Sequence, residues 1–566
     1  MPIAKDLVGW MWSRETVPPA GQVGSPSCPR RRRRGLDRLI HLRDRGGGLP
    51  RSAARRDEGE NGVGDTGMDT DVVIAGAGPT GLMLACELRL AGVDVVVVER
   101  LAERSGESRA GGMHSRTLEV LDQRGVLERF LAVGELTPVG HFSGLWLDFD
   151  GFESRHPHPL QLPQSTIERV QEEWAAELGV RVRWSSEVSG IHQDETGVAV
   201  ELRTAEAAPV TLRARYLVGC DGGRSTVRKL ADIAFPGTPA TLTALLGDVE
   251  IPDLPEDFIF MRRCPEGHFS AFALEPGWHR VITSEYDHVA DREESATFEQ
   301  LRESLIRLAG TDYGMRNPRW ISRFGDAARQ AARYRQGRVL LAGDAAHIHY
   351  AAGGQGLNVG VQDAVNLGWK LASVVRGQVP DRLLDSYHDE RHPVGERVLN
   401  NTRAQAALAR PGAQTDALRE VFGALMVSDD VNRYLRGMIS ALDIRYPIEG
   451  KHPLVGRRVP DADLKTSDGA GRVYELLRAA RPVLLDLRGS ADVAAVARGW
   501  ADRVDLVEAR SEDEHWSAPT LGEFPAPAAV LIRPDGHVAW AVGAGAPDRS
   551  GLRTALGTWF GPARRG

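Results

Sequence analysis

The chain has 566 residues, enough for roughly three to four domains of about 150 residues each and for a sizeable buried core. Its 42% hydrophobic and 26% charged content is ordinary for globular proteins and excludes wholesale disorder or a fibrous architecture. The formal charge of −7 argues against general nucleic-acid binding, and no apolar run approaches the roughly 18 residues of a membrane span. The four cysteines, Cys28, Cys86, Cys220 and Cys264, form no CxxC pair. This suggests neither a disulfide framework nor a metal site, and a reducing cytoplasm is the expected setting.

The first 67 residues carry 13 Lys/Arg against 8 Asp/Glu, include the run Arg30–Arg34 and lack a sustained apolar period. They are expected to form a disordered extension, with Met68 as the native start. From there the pattern becomes strand–helix–strand. Asp71–Ala75 (DVVIA) reads as a buried strand, Leu82–Ala91 as a helix ended by Gly92, and Asp94–Glu99 (DVVVVE) as a second buried strand. Gly76-Ala77-Gly78-Pro79-Thr80-Gly81 is a GxGxxG turn between the first strand and the helix. Gly76 permits the tight turn, Gly78 lets the backbone approach a pyrophosphate, and Gly81 lets helix pack on strand. The helix N-terminus then favours phosphate. Glu99, 18 residues after Gly81 and followed by Arg100, is placed to bind ribose hydroxyls. Dinucleotide binding is expected, but this fingerprint alone does not choose FAD over NAD.

Aromatics interspersed among short alternating segments, at about 139–163 and 235–324, read as an antiparallel β region. Arg338–His347 (RVLLAGDAAH) is a buried strand running into Gly343-Asp344. Gly353-Gly354-Gln355-Gly356-Leu357-Asn358 follows, then a long helix with Leu357, Val361, Ala364, Gly368, Leu371 and Val375 on one face. Its glycine-rich N-terminus suits the negative charge of a reduced flavin, and Asp344 could hold a ribityl chain. Leu383–Leu442 is mainly helical. Beyond His452, strands return at Val483–Leu487, Val504–Val507 and Ala529–Ile532. The last turns through Pro534-Asp535-Gly536 into Val538–Val542.

In order, Gly76–Gly81, Asp221-Gly222 and Gly343-Asp344 resemble the GxGxxG, DG and GD motifs of class A FAD monooxygenases of the para-hydroxybenzoate hydroxylase family. Arg109-Ala110-Gly111 resembles the family segment beside flavin and substrate. Pro163-Gln164 resembles the segment whose glutamine contacts the flavin. Gly353–Leu371 and Tyr387–Gly395 also match closely. Within the family, Leu90–Arg109, Arg116–Phe130, His141–Phe149 and Ala529–Trp540 are most similar to hydroxylases of angucycline-type polyketides. The resemblance implies an α/β fold: a Rossmann-type FAD-binding domain over 68–450 with an inserted mixed or antiparallel substrate sheet, then a thioredoxin-like domain over 451–566 without CxxC. The last is expected to be structural or dimer-supporting, with the protein a monomer or homodimer. One departure stands out: Ala351 occupies a position where the family usually has proline.

The implied cofactors are FAD and, as transient reductant, NADPH or NADH; O₂ is the co-substrate and an aromatic polyketide the acceptor. Reduced FAD would form a C4a-hydroperoxide that hydroxylates an electron-rich ring. No catalytic base is identified, and Gly353, Gly354 and Gln355 are the flavin-loop candidates. Arg224 is read either as a nucleotide contact or as a salt-bridge partner orienting Asp221. His347 and His349 are expected to be structural, and Trp146 to pack in a sheet rather than stack on substrate. The rivals are Baeyer–Villiger or other flavin oxidoreductase chemistry on the same scaffold, and a non-catalytic FAD-binding polyketide partner.

Overall fold

The computed structural model describes residues 67–204, 209–255, 259–286, 288–290, 295–467, 469–545 and 548–564. All lie within one compact unit, Asp65–Gly566. The expectation for the basic leader concerns residues outside this set, Gly67 excepted.

Thr70–Ala75 and Val95–Val98 are dominated by buried β-branched residues, as interior parallel strands require. They lie beside each other in a sheet ordered Arg335–Gln336, Val339–Leu341, Val210–Gly219, Thr70–Ala75, Val95–Val98, Arg181–Arg183. All but the first of these pair in parallel. Helix α1 (Pro79–Leu90) crosses over between the first two strands of the chain. Helices α2 (Ser115–Gln123) and α3 (Gln164–Glu177) follow. Helix α4 (Gly356–Val375) packs against α1 with almost no gap: a Cβ on Gly360 would stand 2.3 Å from Thr80 Oγ1, and one on Gly368 2.5 Å from Glu87 Cβ.

A second sheet runs 259–264, 267–275, 278–286, 242–250, 316–325, antiparallel throughout. The helix Phe298–Ala309 closes one face, opened by a capping box of Thr297 and Gln300. It buries Leu301, Leu305 and Leu308 against Val249, Phe269 and Val281. Helices α5 (Asp385–Ala409), α6 (Ala413–Leu425) and α7 (Asp429–Ser440) then cover the hairpin Val139–Phe142/Leu145–Asp148. Phe142, Leu147 and Phe149 pack there with Leu408, Met426 and Leu435.

The C-terminal sheet is ordered 469–472, 463–466, 505–511, 483–486, 529–532, 538–542. Its centre is a parallel pair, 483–486 with 505–511, flanked by the antiparallel hairpin 529–532/538–542. This C-terminal region contains no cysteine.

The hairpin turn Arg533–His537 is driven into the first domain. Arg124 of the loop after α2 forms a two-bond ion pair with Glu87 of α1 and also donates to the Pro534 carbonyl at 2.8 Å. Arg116 donates to the Asp535 carbonyl at 2.7 Å. Arg533 pairs with Glu390 of α5 at 2.6 and 2.8 Å, and Lys370 of α4 reaches the same carboxylate at 2.8 Å. Trp369 completes the seam against Trp559 and Phe560.

These charges are almost wholly withdrawn from water, so removing one partner leaves others uncompensated. Glu390→Ala is expected to lower the unfolding free energy by about 3–5 kcal/mol in urea titration. Burial alone would raise the Glu390 carboxyl, but Arg533 and Lys370 bring it to about 2 from an ordinary 4.5. A depressed carboxylate contributes stability that is fully present above about pH 4.5 and lost as the pH falls toward 2. The stability–pH curve of Glu390→Gln should therefore be flatter than wild type across that window.

Candidate functional site

The parallel sheet, the antiparallel sheet and the α5–α7 cover enclose a cavity of about 1080 Å³. Its lining runs from the GxGxxG turn to the substrate-side hairpin. At the nucleotide end the glycines are sterically required. A Cβ on Gly76, at φ +105°, would meet the Cys220 carbonyl at 2.4 Å, and one on Gly81 would meet the Gly76 carbonyl at 2.0 Å. Gly78 has open space where a Cβ would stand. With Pro79 and Thr80 it brings the N-terminus of α1 to the cavity wall. Glu99 ends its strand nearby, accepting the backbone N–H of Ala77 at 2.9 Å and of Leu101 at 3.0 Å. Glu99, exposed Arg100, Gly76 and Gly81 lie behind the lining rather than on it.

The DG segment behaves differently from its reading in sequence. Asp221 caps the helix Thr226–Leu230, accepting from Ser225 Oγ at 2.6 Å and from the N–H of Thr226 and Val227 at 2.7 and 3.1 Å. Gly222 reaches the cavity. Arg224 is exposed and forms no ion pair with Asp221 among the described residues. Arg228 instead ties this turn to the GD turn, donating to the Ala345 carbonyl at 2.7 Å.

At the GD turn, Gly343 adopts φ +61° with Thr80 Oγ1 2.6 Å from where a Cβ would be. Its N–H donates to Asp363 of α4. Asp363 also accepts from Arg391 of α5 at 2.6 Å and pairs with His347 Nε2 at 2.8 Å. Burial works against this carboxylate, but Arg391 and His347 keep it ionised, with its pKa below the ordinary value. The Asp344 carboxylate is exposed to the cavity and hydrogen-bonded to no described residue.

The loop Gly353–Leu357 lines the cavity. Asn358, expected at the ligand, is buried behind it and joins two segments. Its Oδ1 accepts from the His114 N–H at 2.8 Å and from Thr117 Oγ1 at 2.7 Å, and its Nδ2 donates to the Gly354 carbonyl at 2.9 Å. His114 Nε2 binds the Gly353 carbonyl at 2.8 Å, which leaves its buried Nδ1 without a partner. Gln355 Nε2 is likewise buried and unpartnered. Both residues line the cavity. Gln164, at the start of α3, accepts the Ala110 N–H at 3.0 Å and so fixes the Arg109–Gly111 strip along the wall.

The strip is held from the other side by a residue that sequence reading missed. Arg280 is buried in the antiparallel sheet, forms a two-bond pair with Asp248 at 2.9 and 3.0 Å, and donates to the Ala110 carbonyl at 3.3 Å. Nearby, His268 faces two tyrosines: Nδ1 lies 2.9 Å from Tyr286 Oη and Nε2 3.2 Å from Tyr350 Oη. Tyr286 donates to the Ala409 carbonyl, so the proton shared with His268 sits on Nδ1 and Nε2 accepts from Tyr350. Burial, helped by Arg263, pushes His268 down to about 4, and burial with His114 does the same to His141. Both rings are neutral at pH 7. Trp146, expected in sheet packing, faces the cavity edge-on to His141 with ring centroids 6.4 Å apart. His349 also lines the cavity and binds the Tyr350 carbonyl through Nδ1 at 2.8 Å.

A family model described as "FAD binding domain" matches residues 69–402, and one described as "Aromatic-ring hydroxylase, C-terminal" matches 452–563. A 12-dehydrotetracycline 5-monooxygenase/anhydrotetracycline 6-monooxygenase of Streptomyces rimosus is 48% identical over 509 residues, covering 88% of this chain and 99% of its own. A rifampicin monooxygenase of Streptomyces venezuelae is 47% identical over 503 residues, covering 88% and 100%. The solved structure of CabE, an aromatic hydroxylase from angucycline biosynthesis, superposes with a TM-score of 0.81 at 46% identity, covering 88% of this chain and 100% of that one. No helix among the described residues is long and apolar enough to cross a membrane. A glycine turn, a GD turn and an enclosed chamber on one cavity, together with matches over both halves of the chain, make this protein a member of the FAD-dependent aromatic-ring hydroxylase family of monooxygenases.

Proposed function

We propose that this monooxygenase hydroxylates an aromatic polyketide of the angucycline or tetracycline type, using NAD(P)H and O₂ in the cytoplasm. The observation that carries the reading is the continuity of the cavity. One wall is the glycine turn and the Asp344 carboxylate; the other is an aromatic chamber of Trp146, Phe149, Phe272 and Phe324. The volume of about 1080 Å³ suits a flavin and a polycyclic substrate side by side.

The residues present fit FAD. The Gly76–Gly81 turn is a cradle that side chains would fill, and the unpartnered Gln355 Nε2 and His114 Nδ1 offer polar edges on the cavity wall. Gly78 and Thr80 would hold the diphosphate at the N-terminus of α1, Glu99 the adenosine ribose and Asp344 the ribityl hydroxyls. The Gly353–Leu357 loop at the N-terminus of α4 would face the ring. The chemistry FAD supplies when bound is hydride acceptance from NAD(P)H and activation of O₂.

The protein's own contribution is binding, orientation and exclusion of water. Neutral His268 holds the Tyr350 hydroxyl proton in line, leaving that hydroxyl oxygen to accept from Ser284 or from a substrate hydroxyl. The aromatic walls keep water from the reacting ring. The C-terminal region would serve as scaffold.

Substrate-dependent NAD(P)H oxidation matched by O₂ uptake and hydroxylated product tests the reading. Product formed without O₂ uptake would overturn it. Asp344→Ala should weaken FAD binding about tenfold or more, since a carboxylate accepting hydroxyl hydrogens contributes about 1.5–3 kcal/mol per bond. Equilibrium dialysis of the purified variant measures this. Ala351 already sits at φ −69°, the value proline imposes, and its N–H donates to no described residue. Ala351→Pro should therefore fold normally, bind FAD as wild type does and stiffen the loop before α4. The expected outcome is more hydroxylated product per NAD(P)H consumed, read by product and peroxide quantification.

A further inference from the structure

The end of the cavity formed by the hairpin tip, the strand 259–264 and α6 carries two guanidinium groups, Arg263 and Arg419. Arg419 uses one terminal nitrogen, Nη1, for the carbonyls of Ser143 at 2.8 Å and Leu408 at 3.0 Å. Its other edge, Nε with Nη2, is a two-donor fork that binds no described residue. Arg263 donates to the carbonyls of Ala409 and Arg410 through Nε and Nη2, and Nη2 also meets Asp416 at 2.9 Å. Its Nη1 is unused. Arg262, its neighbour on the strand, projects from the opposite face of the sheet, with Phe260 and Cys264. Asp416, itself 56% exposed, is the one carboxylate within ion-pair distance of these two groups among the described residues.

Burial and the neighbouring Arg263 push the Arg419 guanidinium down to about 10. Two like charges share a half-buried wall, and the anchoring bonds to carbonyls hold them there. The hairpin tip is fixed with them: Ser143, at φ +53°, is kept in the left-handed region by its N–H to Gln405 Oε1 at 3.0 Å and its Oγ to the Gln405 carbonyl at 2.8 Å. The Arg419 fork is thereby rigid and turned along the cavity wall beside Gly144.

We propose that this end of the cavity is an anion subsite and that the preferred substrate is a polycyclic aromatic bearing a carboxylate, which docks on the Nε–Nη2 fork of Arg419 with Arg263 alongside. A planar carboxylate matches a guanidinium fork in geometry as well as charge. The inference rests on the hydroxylase reading above and narrows its substrate class. The nucleotide turn and Asp344 are on other elements, so the subsite is distinct from the residues assigned to FAD.

Calorimetric titration of the FAD-loaded enzyme with 1,8-dihydroxyanthraquinone-3-carboxylate and with its methyl ester tests it, alongside NADPH oxidation with each. The acid is expected to bind about tenfold tighter than the ester, a gap that narrows at high salt. Arg419→Met and Arg263→Met should each cost the acid about tenfold and the ester under about twofold, with FAD content unchanged. Because Arg419 also holds the hairpin, Arg419→Lys provides a variant that keeps the charge and a donor for the Ser143 carbonyl but removes the fork; it should weaken the acid alone. Equal binding of acid and ester, or an acid preference that survives all three variants, overturns the subsite while ester-driven NADPH oxidation keeps the hydroxylase reading intact. If neither compound binds or stimulates NADPH oxidation, both fall.

Discussion

A buried carboxylate holds the cavity-facing loops of this protein together. Asp363 is fully enclosed, a costly place for a charge unless it is paired and hydrogen-bonded. It is both. Arg391 supplies the opposite charge, His347 the second contact, and the Gly343 N–H a third. These groups come from α4, α5 and the turn after a central strand. The three elements therefore cannot shift independently without leaving a charge stranded. The preceding residue of α5, Glu390, performs the same service for Lys370 and Arg533. One helix thus carries two adjacent charges that lock different parts: Arg391 the GD turn, Glu390 the C-terminal hairpin.

The glycine motifs were legible in sequence because backbone geometry leaves no alternative residue there. Contacts of 2.0 Å at Gly81 and 2.4 Å at Gly76 tolerate no side chain, and such positions recur at fixed spacing. The strands were legible because burial on both faces demands unbroken runs of Val and Ile. What escaped reading has long-range partners. Asp363, Asn366 and Lys370 recur at helical spacing on α4 and look like a solvent face, yet α5 and the C-terminal hairpin cover it. Asp221 resembles a ligand residue by motif but spends its oxygens on the helix that starts five residues later. Asn358 sits in the right loop and turns its amide away from the cavity, toward residues about 240 positions earlier. Arg280 carries no local signature at all; only folding of the antiparallel sheet brings it under Ala110.

The two ends of the cavity differ in how they hold charge. Near the sheet face, burial keeps His141 and His268 neutral, so their hydrogen bonds have fixed directions at ordinary pH. At the hairpin end the positive charge belongs to guanidinium groups, which do not titrate in that range. Electrostatics within the chamber are therefore set by which side chains are present rather than by the proton supply. A reaction that moves protons at the substrate ring can proceed without altering the field that orients the rest of the molecule.

The Arg533–His537 turn has a consequence for how the protein is made. Its residues come from the last tenth of the chain, yet the Pro534 and Asp535 carbonyls are acceptors for arginines near residue 120. On the ribosome, the nucleotide-binding half emerges hundreds of residues before those acceptors exist. Arg116, Arg124 and the polar stripe of α4 must wait, solvated, until the hairpin arrives. Completion of the core is thus the final event of synthesis, and an interrupted chain is marked by the very charges that the finished protein conceals.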